Sequence, residues 1–130
     1  MEAEMFRVYV KIDGTAFDVD AFQNEIGSRL GGTIRFRKKM HNGYVERGDR
    51  FWSSRTIESE YPEDDLSKLL IEMEGQLVKL AKTPAVRIIA EIVEYISEDQ
   101  SPRGFFLAAE IIQLLARTGA NLDMDIVRQP

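Results

Sequence analysis

The side chains best suited to recognition chemistry lie between Arg35 and Arg55. Seven are basic (Arg35, Arg37, Lys38, Lys39, Arg47, Arg50 and Arg55), and only Glu46 and Asp49 oppose them. Phe36, Tyr44, Phe51 and Trp52 interleave with these charges. Cationic groups hold phosphates, and aromatic faces stack on bases. Trp, Tyr and Arg also anchor protein interfaces. A third reading sends Phe36, Phe51 and Trp52 into the core and leaves the charges on a solvated strand face. We take Arg37, Lys38, Lys39, Tyr44, Arg50 and Trp52 as the candidate partner-binding set. Another protein is the expected partner. Nucleic acid or another anionic ligand, bound through segment 35–55, is the alternative.

Elsewhere the candidate chemistry is sparse. Asp123 and Asp125 share one face of a strand, because side chains repeat every two residues. Two carboxylates there suit a hard cation or an acid/base pair. We read them as a solvated outer face that also discourages edge-to-edge pairing. A third carboxylate from another strand is what would change that reading. His41 is the only histidine and sits beside Asn42-Gly43, a turn signal. There is no cysteine, which removes disulfides, thiol nucleophiles and thiolate metal sites. Asp13-Gly14 and Asp18-Val19-Asp20 lack the spacing of a calcium loop, which ends in a bidentate glutamate. Gly31-Gly32 belongs to neither glycine-rich phosphate motif. Ser53-Ser54 lacks a nucleophile-elbow context. The expectation is therefore no catalytic residue, no metal and no cofactor.

The elements that must position these groups follow from periodicity. Phe6, Val8, Val10 and Ile12 alternate with Arg7, Tyr9 and Lys11, the pattern of a half-buried strand. Asp18 is placed to cap a short helix carrying Ala21, Phe22 and Ile26. Thr33 to Lys39 reads as a second strand, Tyr44 to Asp49 as loop, and Phe51 to Ile57 as a third strand. Leu66, Leu69, Leu70, Met73, Leu77 and Leu80 form one stripe of a helix from about Glu63 to Lys82, which Pro84 terminates. Gly75 inside it is a candidate for close helix–sheet approach. Val86, Ile88, Ala90, Ile92 and Ile96 mark a long strand, with Glu94 the exception on its apolar face. A helix over Phe106 to Thr118 buries Ile111, Ile112, Leu114 and Leu115, with Gly119 as its left-handed stop. A last strand buries Leu122, Met124 and Ile126.

This order predicts an α+β fold: a largely antiparallel sheet with helices on one face. It starts as a ferredoxin-like β-α-β-β-α-β unit and adds an α-β unit. At 130 residues, with 44% hydrophobic and 30% charged, the chain suits one folded domain over 1–130. No stretch approaches a membrane span, so no membrane partner is expected. The acidic start Met1-Glu2-Ala3-Glu4 differs from a secretory signal, and a cytoplasmic location is expected. The net charge is −5, with the acidic excess concentrated after Glu58.

The chain resembles the bacterial domain-of-unknown-function family 4279. The matching features are Val8-Tyr9-Val10-Lys11-Ile12-Asp13-Gly14 with Phe17-Asp18-Val19, then Gly48-Asp49 and Trp52-Ser53. They end in Gly104-Phe105-Phe106-Leu107 and the block from Leu114 to Asp125. The resemblance implies a small α+β domain and no particular activity. A non-enzymatic bacterial binding module is the functional expectation, with toxin-neutralising immunity as one concrete version. That version rests on analogy with small, acidic, single-domain proteins that lack catalytic motifs.

Overall fold

The computed structural model describes residues 5–41 and 44–129, with the side chains of 39–41 and 44–48 outside that description. Along the described residues the strands and α-helices are β1 Met5–Asp13, α1 Val19–Phe22, β2 Thr33–His41, β3 Tyr44–Ser53, β4 Ile57–Ser59, α2 Pro62–Ala81, β5 Arg87–Ser97, α3 Ala109–Thr118 and β6 Ala120–Gln129. A π-helical turn, Gln23–Gly27, extends α1. The sheet runs β2-β3-β1-β5-β6, with β4 beside the first half of β1. β5 and β6 are parallel and the other pairings antiparallel. The sub-order β5-β1-β3-β2 is the expected split β-α-β arrangement. The fold is α+β, with a mixed sheet and helices on one side.

Alternation on β1 and β5 decides which side. Phe6, Val8, Val10 and Ile12 meet Ile88, Ala90 and Ile92 in one buried cluster. Leu66, Leu69, Leu70, Met73 and Leu77 of α2 join it, as do Ile111, Leu114 and Leu115 of α3. The helical ends behave as their sequence dictates. Asp18 Oδ1 accepts from the Ala21 N–H at 3.0 Å, and Pro62 opens α2 ahead of Glu63, Asp64 and Asp65. Gly119 stops α3 at φ 71°. Glu94, the exception on an apolar face, is fully buried. Its carboxylate accepts the Arg103 N–H at 2.7 Å and the Gly104 N–H at 3.2 Å, which pins the loop before α3 to the core.

Several local expectations need correction. Tyr44 to Asp49 is strand rather than loop, because β2 and β3 form one long hairpin whose ladder satisfies a polar backbone. The third strand expected from Phe51 to Ile57 is interrupted. Ser54 bridges the gap: its N–H donates to the Val10 carbonyl and its Oγ accepts from the Val10 N–H, both at 2.9 Å. α3 starts at Ala109, so Phe106 lies outside it and is exposed. Ile112 points to solvent. Gly75 is exposed, and a Cβ there would touch nothing within 4 Å, so it mediates no helix–sheet contact. β6 is an edge strand. Leu122 and Ile126 keep 37% and 46% of their surface, because α3 buries its apolar stripe against the cluster and leaves the edge uncovered.

Candidate functional site

The basic segment is dispersed by the fold. Trp52 is 0% exposed and belongs to the core. Its ring packs edge-on to Phe22 at 4.9 Å, and its Nε1–H donates to Gln23 Oε1 at 2.8 Å. Gly27 and Gly32 leave the indole its space, since a Cβ on either would lie within 2.3 Å of the ring. No partner reaches this ring in the folded protein, so the candidate set loses Trp52. Arg50 makes two bonds to Asp20, at 2.9 and 2.7 Å. Arg55 does the same with Glu72, at 2.7 and 2.9 Å. Arg37 and Arg87 both bind the Asp13 carboxylate, the latter through two bonds of 2.9 Å. Burial works to raise the pKa of Asp13, but the two guanidiniums outweigh it and hold it below the usual value. Lys38 is exposed. The side chains of Lys39 and Tyr44, and that of His41, lie outside the described residues.

The side of the sheet opposite the helices is the more coherent surface. Among the described residues, no helix packs there. The cross-strand register β1–β5 brings Arg7, Tyr9 and Lys11 together with Glu91, Val93 and Tyr95. At one end, Arg7, Tyr9, Arg35, Thr56, Glu58 and Tyr95 line an open cleft of about 650 Å³. The Arg7 guanidinium lies 4.6 Å from the centre of the Tyr95 ring and 3.7 Å from Glu58. Burial raises the Tyr9 pKa, the nearby Glu91 charge adds to this, and Arg35 opposes it. Phe51 lies on the same side, with Lys11 and Arg37 within about 6 Å of its ring.

The other half of this face is acidic. Glu91 is 2% exposed and pairs with Lys11 at 3.1 Å. The parallel register sets Asp123 directly beside Glu91, and Asp125 beside Val93. One carboxylate oxygen from each of Glu91, Asp123 and Asp125 lies within 4.8 Å of the others. Burial pushes Glu91 up to about 7; Lys11 pulls against that, and the two aspartates add to it. Glu91 Oε2 is buried without a hydrogen-bond partner.

The aligned blocks now sit on one scaffold, and the family match spans residues 4–128. The chain belongs to DUF4279, a domain of unknown function. No curated protein and no solved structure matches it. Membership in DUF4279 covers the whole sheet, the cleft and the acidic cluster, and assigns a role to none of them. No described helix is long and apolar enough to cross a membrane.

Arg7, Tyr9, Tyr95 and Glu91 were absent from the sequence-derived set. Alternation does place each on the polar side of its own strand. Nothing in the spacing says that the two polar sides form one surface, because that depends on β1 pairing with β5 across some eighty residues.

Proposed function

We propose that this domain is a non-enzymatic binding module that recognises another protein through the uncovered side of its sheet. One observation carries the reading: Tyr9 and Tyr95 sit half-buried between Arg7 and Arg35 in a cleft that no described helix covers. Tyrosines half-buried on strands lose little freedom on binding, and Tyr and Arg both recur at interface hot spots. The internal pairing of Arg37, Arg50 and Arg55 lowers the charge that segment 35–55 can offer to phosphates. This favours a protein over nucleic acid. The concrete form is an immunity-type protein of the bacterial cytoplasm that neutralises a partner toxin.

The test is titration calorimetry of the protein with the product of the neighbouring gene and with random-sequence oligonucleotides, over a salt series. The variants are Arg35→Glu, Tyr95→Ala and, as a control away from the cleft, Lys38→Glu. The expected result is binding to the protein that weakens about tenfold or more in the first two variants, each still folded at the assay temperature. Oligonucleotide binding that falls log-linearly with salt, without protein binding, would replace this reading by the nucleic-acid one. Protein binding untouched by both cleft variants would move the interface elsewhere.

A further inference from the structure

We propose that the acidic end of the uncovered sheet face binds a hard divalent cation, with Ca²⁺ as the ion that fits, through Glu91, Asp123 and Asp125. The backbone brings these groups together. Asp123 is the register partner of Glu91 across the parallel β5–β6 ladder, and Asp125 follows two residues later on the same side. The register fixes the positions, and the exposed Asp123 and Asp125 side chains turn an oxygen each toward Glu91. The contributing oxygens lie within 4.8 Å of one another. Calcium–oxygen distances are about 2.4 Å, so oxygens so separated converge on one Ca²⁺ with little movement. Mg²⁺ demands near-octahedral order and dehydrates reluctantly, whereas Ca²⁺ accepts irregular, partly hydrated oxygen sets such as this one.

Glu91 provides the second, independent observation. It is 2% exposed, and its Oε2 has no hydrogen-bond partner. Buried carboxylate oxygens are costly to leave unpaired, and a cation bound by Glu91 through Oε2 would satisfy this one. Lys11 does not already do so. Its ammonium approaches the other oxygen, Oε1, at 3.1 Å, and comes from β1 on the far side of β5 from the aspartates. The three carboxylates outnumber that one ammonium. Asp123 and Asp125 are exposed, so water can complete the six to eight ligands that Ca²⁺ takes. The site borders the proposed partner cleft, since Tyr9 lines that cleft and lies opposite Glu91, but it does not rest on that reading.

The experiment is thermal unfolding of the chelator-treated, dialysed protein with added CaCl₂, against KCl of matched ionic strength. Terbium luminescence gives a second readout, because Tyr9 lies opposite Glu91 and serves as the sensitiser. We expect a saturable rise in melting temperature, half-complete between about 0.1 and 1 mM Ca²⁺, the range of weak, open sites. Asp123→Asn and Asp125→Asn alter exposed positions and should fold, yet abolish both the rise and the terbium signal. Lys11→Gln removes the competing ammonium and should shift the midpoint to lower Ca²⁺. A melting temperature no higher in CaCl₂ than in KCl would overturn the site. So would a rise of equal size in both aspartate variants.

Discussion

Replacing Glu91 with glutamine keeps its size and an acceptor oxygen but removes the charge that burial penalises. In the fold the carboxyl titrates at about 7, against 4.5 for an unperturbed glutamate. The folded state therefore holds this proton more tightly than the unfolded chain, by about 3 kcal/mol at 1.36 kcal/mol per pH unit. The sign follows. Below pH 4.5 both states carry the proton, and wild type and Glu91→Gln should be nearly equal in stability. From pH 4.5 to 7 the unfolded chain has released the proton while the folded protein keeps it, so wild-type stability falls against the variant. Above pH 7 the deficit is complete, and Glu91→Gln should be the more stable by about 3 kcal/mol. The assay is urea denaturation of both proteins at pH 4.5, 6, 7 and 8.5 in metal-free buffer, with the difference taken at each pH so that other carboxylates cancel. A difference independent of pH would refute the reasoning. So would a variant less stable than wild type at pH 8.5, which would mean that the Lys11 pair outweighs the burial of Glu91.

Three further outcomes test the packing. Gly75→Ala should stabilise the protein by about 1 kcal/mol, because the position is exposed mid-helix and open around its Cβ; a loss in denaturant midpoint would show that the glycine is needed. Gly32→Ala should destabilise by about 1–3 kcal/mol, since the new methyl would sit 2.0 Å from the Trp52 ring and 2.6 Å from the Ser53 carbonyl oxygen, a backbone atom that cannot easily yield; an unchanged midpoint would contradict the seating of the indole. Leu77→Ala should cost about 2–5 kcal/mol in chemical denaturation, given that Leu77 is 0% exposed in the helix–sheet core; a loss under about 1 kcal/mol would mean that α2 docks on another face.

Much of this architecture is local and could be read from spacing. The stripe of Leu66, Leu69, Leu70, Met73 and Leu77, the alternation in Met5–Asp13, the cap at Asp18 and the stop at Gly119 all fall where they should. The errors share a physical origin. Tyr44 to Asp49 lacks an apolar period, yet its backbone is held by hydrogen bonds to β2, which composition does not encode. Leu122 and Ile126 alternate as buried residues do, but alternation names a face without saying that anything covers it.

The same distinction separates the two candidate surfaces. Trp52, Arg37 and Arg50 looked like one recognition segment because they are close in sequence. The fold sends the indole into the core and pairs the arginines with Asp13 and Asp20. The sequence alone determined which residues share a face of each strand and helix, since that follows from the period of the backbone. Only the tertiary structure decided that Tyr9 meets Glu91, that Asp123 lies beside Glu91, and which side of the sheet stays open. Those outcomes depend on strand order and register between distant segments, and no local spacing carries them.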